Sequence, residues 1–199
     1  MTSCAANSTD PAFARTRRHG ATAHDVVAFW RDAGRGRWFR KNAAFDLEIA
    51  RRFAAATEAA QAGALEEWRS EPQSALALIL LLDQFPRNIW RGSPRAFAGD
   101  ARAAARAEDA IARRFDRLAP AALRAFFYMP FMHSERLADQ ERCVALFTAS
   151  APGGGNLRFA REHRDIIRRF GRFPHRNAVL GRRSTAAEID FLRQGGFRG

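Results

Sequence analysis

Residues 75 to 85 read ALALILLLDQF, and the first eight of them form the longest apolar run in the chain. A helix made from this run is apolar on nearly every side, so it is stable only as a central element covered by others. The run falls well short of the roughly 20 residues that span a bilayer. The spacing therefore predicts a core helix over Gln73 to Phe85. Pro86 cannot donate to the helix ladder and disfavours helical geometry at Phe85, so the helix is expected to stop there. Asp83 and Gln84 lie at its end. Burying an unpaired carboxylate costs several kcal/mol, which makes Arg87, Asn88 and Arg91 the nearest candidate donors for Asp83.

The remaining segments also read as helices. Val27, Phe29 and Trp30 mark one over His24 to Asp32, interrupted by GRGR. Asn42 is the expected N-cap of a longer helix through Gln61, with Phe45, Ile49, Phe53 and Ala56 at helical spacing and Gly63 beyond its end. A turn is expected around Trp68, and helices over Asp100 to Phe115 and from Pro120 until Pro130 stops it. Ser134 is expected to cap the next helix, to Phe147. A loop, APGGGN, leads into Leu157 to Phe170, ended by Gly171. Thr185 and Glu188 form a capping box for a last helix near the end. Alternating strand patterns are scarce, and 47% of the 199 residues are hydrophobic. The expectation is an all-α protein of about eight helices in antiparallel pairs, an irregular tetratricopeptide-like array. Residues 1–22 read as a flexible Arg-containing extension and 23–199 as one compact domain.

Charge and cysteine content narrow the partners. The formal net charge is +12, but Lys41 is the only lysine among 33 basic residues, and the arginines run along the whole chain. Scattered cations argue against a nucleic-acid partner, because they give only weak, salt-sensitive phosphate affinity. Two cysteines, Cys4 and Cys143, cannot build a disulfide framework or a thiolate zinc site. With no membrane span and no apolar core to the N-terminal segment, a cytoplasmic location is expected.

Several polar residues lack a packing reason. Asp83, Arg87 and Asn88 surround the Pro86 break. His133 precedes the Ser134 cap and is expected at a helix N-terminus, where the dipole favours neutral imidazole. Tyr128 and Glu141 flank it. His163 shares a face with Ile167 and Phe170, where a hydrogen-bonded core histidine is the ordinary reading. Arg172, His175, Arg176 and Asn177 crowd the turn after Gly171, and FPHRN there echoes FPRN at 85 to 88. No His pair has helical metal-ligand spacing, no G-x-S-x-G occurs and no Gly-rich phosphate loop follows a strand.

LALILLLDQFPRNIWRG, FFYMPFMHSE with its DQE, and HRDIIRRFGRFPHRNAVLGR together resemble the bacterial domain-of-unknown-function family 924. FWRDAGRGRWFRKNAAFD is similar to that family's opening segment, so the resemblance spans about Val26 to Phe191. It implies an all-helical, tetratricopeptide-type fold and no established reaction or cofactor. Its motifs include Gln140 as well as the residues named above, without assigning them roles.

The expectation is that these segments converge on one polar pocket for a small anionic ligand. His133, Glu141 and His175 are the acid–base candidates, and Asp83, Arg87, Asn88, Tyr128, His163, Arg172, Arg176 and Asn177 the ligand-binding ones. A protein- or peptide-binding module is the alternative, with these residues serving as a structural clasp. A clasp alone requires no cavity, and a module requires a long open groove.

Overall fold

A computed structural model describes residues 19–150 and 154–199; the N-terminal extension up to residue 18, with Cys4, lies outside the described residues. The described residues hold no strand. The helices are α1 (Ala23–Ala33), α2 (Arg35–Trp38), α3 (Ala43–Gln61), α4 (Pro72–Ile89), α5 (Asp100–Ala112) and α6 (Phe115–Leu118). They continue with α7 (Ala121–Arg124), α8 (Met129–His133), α9 (Leu137–Ser150), α10 (Gly155–Phe170) and α11 (Ala186–Arg193).

Local chemistry sets most boundaries as expected. Thr22 forms a capping box with Asp25, Asn42 accepts from the Phe45 amide, and Thr185 pairs reciprocally with Glu188. Gly171 closes α10 at φ 69°, a left-handed geometry that glycine adopts without steric cost.

GRGR interrupts the first helix as expected, at Gly34, and then contributes to the short α2. Other boundaries differ: α5 ends at Ala112 rather than Phe115, and Ser134 caps the end of α8 while α9 starts only at Leu137. Pro130 starts α8 rather than stopping a helix, as suits a ring in the first turn. Most consequential, α4 runs through Pro86 to Ile89. Pro86 leaves the Leu82 carbonyl without its helical partner, and the backbone of Gly99 fills the space beside it. A Cβ at Gly99 would collide with the Leu82 carbonyl oxygen. The extended helix carries Asp83, Arg87 and Asn88 on one continuous scaffold.

α4 is the hub, packing against α1, α3, α5, α6 and α8. Leu78 to Leu82 and Phe85 are essentially inaccessible. Phe29, Trp30, Phe53 and Phe85 form an aromatic cluster there, with ring centroids 5.1–6.3 Å apart, and the Trp38 indole N–H donates to the Trp30 carbonyl at 2.6 Å. A second, smaller core gathers Ile166, Ile167 and Phe173 with Phe170, Phe191 and Phe197. No helix among the described residues is long and apolar enough to cross a membrane.

Candidate functional site

The buried end of α4 meets the end of α8. Asp83 is fully buried, and its Oδ1 lies 2.7 Å from Nδ1 of His133. Gln84 donates to its other oxygen, and the Arg87 guanidinium sits 3.3 Å from Oδ1 while also donating to the Asp83 carbonyl. Burial alone would raise the carboxyl; the charges of His133 and Arg87 and the hydrogen bonds from His133 and Gln84 outweigh it and hold Asp83 far below the usual carboxylate range. His133 shifts downward, chiefly through burial and the neighbouring Arg87, against the pull of Asp83. Arg87 stays charged, so Asp83 remains ionised even when His133 is neutral. At neutral pH the pair is carboxylate and neutral imidazole, with Nδ1–H donating and the Nε2 lone pair free. Nε2 has no hydrogen-bond partner among the described residues.

His133 is the last residue of α8, not the residue before a helix N-terminus. The dipole there favours a cation, so burial and Arg87, rather than the helix end, keep it neutral. Three carbonyls of this turn are held from outside. Gln140 donates to Met132 and Ser134, both at 2.7 Å, and Arg176 donates to His133 at 2.9 Å. Such partners fix the backbone that carries the ring.

A second layer converges from distant sequence. Asp100, in the first turn of α5, takes both terminal nitrogens of Arg87 at 2.9 and 3.0 Å and Arg176 at 3.1 Å. Arg176 is 6% exposed and lies between the Phe97 and Phe173 rings, its guanidinium carbon 4.6 Å from each centroid. Burial lowers it to about 10, so it remains a cation at neutral pH. Its Nε–H is buried without an acceptor.

These groups border a cleft of about 720 Å³. Its polar side includes His133, Asp100 and Arg176, with Glu135, Arg136 and Asp139 also lining it; Phe97, Ala101, Ala104, Ala105, Phe131 and Leu180 supply apolar wall. Most lining carboxylates are committed. Asp100 holds Arg87 and Arg176, Glu108 holds Arg142, and Glu135 takes Arg182 at 2.7 Å together with the Phe173 amide. Arg136 is different: its side chain is 80% exposed and only 4.0 Å from Asp139.

The other expected residues lie apart. Glu141 is exposed and pairs with Arg168 across α10, so it does not line the cleft. The Tyr128 hydroxyl donates to buried Asp116 at 2.7 Å. Asn88 donates to Asp46 at 2.7 Å, and Arg91 joins the same carboxylate, so neither serves Asp83. Arg172 and Asn177 instead hold Glu188, which is 2% exposed at the start of α11. His163 donates to the Phe159 carbonyl and packs on Phe173 and Phe197. His175 packs on the same two rings, and burial lowers these imidazoles to about 3 and about 4 respectively. Neither histidine lines the cleft. Cys143 is buried, and burial pushes its thiol well above the usual range. No group of three His, Cys, Asp or Glu residues is placed to hold a metal ion among the described residues.

Asp100, Glu135 and Arg136 were not legible as site residues. Asp100 reads as an ordinary helix-opening acid, and the other two as polar turn residues; only the tertiary approach of α4, α5 and α8 makes them neighbours of His133.

A solved structure of a protein of unknown function from Agrobacterium tumefaciens is 47% identical to this chain. It matches with a TM-score of 0.83 over 87% of this chain and 97% of that one. No curated protein matches. The model of the family described as "Bacterial protein of unknown function" (DUF924) matches residues 26–196, and the chain belongs to that family.

Proposed function

We propose that the cleft binds a small anionic ligand and that neutral His133 acts there as hydrogen-bond acceptor or general base. The observation that carries this reading is the Asp83–His133 pair: one ring nitrogen is anchored on a buried carboxylate, and the ring lines a cleft with its other nitrogen unpartnered. An anchored imidazole held neutral near pH 7 is suited to accept a proton. Arg136 at the mouth and Arg176 inside supply the positive charge.

The alternative module reading has thinner support. The exposed large apolar residues Phe39, Leu47, Leu118, Leu137, Phe159 and Ile189 sit on six different segments. The clasp reading accounts for Arg172, Asn177 and Asn88 but leaves a cleft unexplained.

The test is a thermal-shift and calorimetric screen of hydroxycarboxylates and inorganic phosphate, whose O–H groups can donate to Nε2, against the full chain and His133→Gln. A hit should raise the melting temperature of the native chain and bind His133→Gln about three- to tenfold more weakly, the worth of one hydrogen bond. A hit bound equally well by both proteins removes His133 from the site.

A further inference from the structure

The stretch RGRWFRK, residues 35–41, carries Arg35, Arg37, Arg40 and Lys41, the chain's one lysine, and no carboxylate. All four cations are exposed, and exposure is continuous from Phe39 to Ala44. The acids that flank the stretch in sequence are taken. Arg31 holds Asp32, Arg52 holds Glu48, and Asn88 and Arg91 hold Asp46, so the four cations have no carboxylate partner among the described residues. Trp38, buried in the middle, anchors the stretch: it stacks on Trp30 and meets Phe126 edge-on at 4.9 Å. Its neighbour Phe39 is 51% exposed, and Leu47, near the start of α3, is 71% exposed. Ala43, Ala44, Leu47 and Arg51 share the outer face of α3 at helical spacing. Apolar side chains thus project from a rigid turn between unpaired cations.

We propose that this patch docks on the surface of an anionic lipid bilayer. Phe39 and Leu47 enter the headgroup layer, and Arg35, Arg37, Arg40 and Lys41 meet its phosphate oxygens. Basic residues around projecting apolar groups suit interfacial binding, and each Lys or Arg near an anionic leaflet strengthens it. None of these residues lines the cleft, so the inference is independent of the ligand reading. A second copy of the chain is opposed by its own charge of +12. A peptide helix lays its anchors into a groove, whereas here Phe39 and Leu47 protrude. Single-stranded nucleic acid needs aromatic faces for its bases, and one face of Phe39 is already stacked on Phe126.

The experiment is co-sedimentation of the full chain with vesicles of phosphatidylcholine, alone or mixed equally with phosphatidylglycerol. Binding to polyglutamate and to a single-stranded oligonucleotide is measured beside it. The anionic vesicles alone should bind the chain, and raising salt to about 1 M, where the screening length is about 3 Å, should weaken binding. Arg40→Gln with Lys41→Gln should weaken it about 25-fold, about fivefold for each cation lost. Leu47→Ala should weaken it about fourfold, the worth of one CH₂ withdrawn from the interface. All these groups are exposed, so melting temperatures should match that of the native chain. Arg158→Gln with Arg161→Gln removes the same charge from exposed positions of α10 beside Phe159, where Glu162 and Asp165 are also exposed. That pair should leave vesicle binding nearly unchanged. Equal weakening by both pairs overturns the patch in favour of net charge alone. Equal binding to neutral and anionic vesicles, or no binding to vesicles at all, overturns the proposal outright. Polyglutamate or oligonucleotide bound through Arg40 and Lys41, with vesicles ignored, overturns it in favour of an acidic protein or a nucleic acid.

Discussion

Asp100 shows how much one side chain can join. It ties Arg87 of α4 to Arg176, which follows it by 76 positions, and both cations are largely out of water. Removing one member of such a cluster costs more than its attraction contributed, because the remaining charges stay buried. Asp100→Ala should lose about 3–5 kcal/mol in urea unfolding, and Asp100→Asn should recover only part of it. A loss under 1 kcal/mol would mean that water reaches the guanidinium groups. His133 stands on the same scaffold but donates only to Asp83, so His133→Gln is expected to cost less stability than Asp100→Ala in the same measurement.

Among elements, α4 carries the lesson of Pro86. The sequence rule that proline ends a helix rests on two costs, a missing donor and a steric clash. Here the helix nevertheless continues, and the freed Leu82 carbonyl faces the backbone of Gly99, which has no side chain to obstruct it. Gly99→Ala forces backbone against backbone and should destabilise by about 1–3 kcal/mol; an unchanged melting temperature would show that the α4–α5 approach can relax. At the other end, α11 depends on Glu188. Arg172 donates to it at 2.6 and 2.9 Å, while Asn177 and the Thr185 amide take the same carboxylate. Arg172→Ala should speed amide hydrogen exchange across residues 186–193 while exchange in α4 stays unchanged; equal protection throughout would exclude this clasp.

At the scale of the whole molecule, His163 and His175 set an acid limit. Their folded values of about 3 and about 4 lie below the ordinary 6.5. On acidification the unfolded chain therefore takes up protons first, and their contribution to stability, complete above about pH 6.5, falls as the pH drops towards 3. Glu188, lowered from 4.5 to about 2 mainly by its bond from Arg172, loses its contribution over the lower part of the same range. Urea midpoints should hold steady above about pH 6.5 and decline below it, with a shallower decline in His163→Gln. An identical slope in that variant would place the acid sensitivity elsewhere.

The all-helical class, the buried run of α4, the caps at Asn42 and Thr185 and the stop at Gly171 follow from the sequence by itself. Each depends on residues within about one turn of one another, so spacing suffices to find it. The expected site divides along the same line. Asp83, Arg87, His133 and Arg176 do meet, whereas Glu141, Asn88, Arg172 and Asn177 find partners on other faces. A side chain's partner is chosen by whatever the packing of α4, α5, α8 and the 174–176 turn brings within 3 Å, and no local pattern records that choice. Pro86 belongs to the same class: its rule is local, but the glycine that its freed carbonyl faces lies thirteen residues away. The sequence by itself determined where helices form and which faces are apolar. Only the tertiary structure decided which charges neutralise one another and which imidazole is left facing open space.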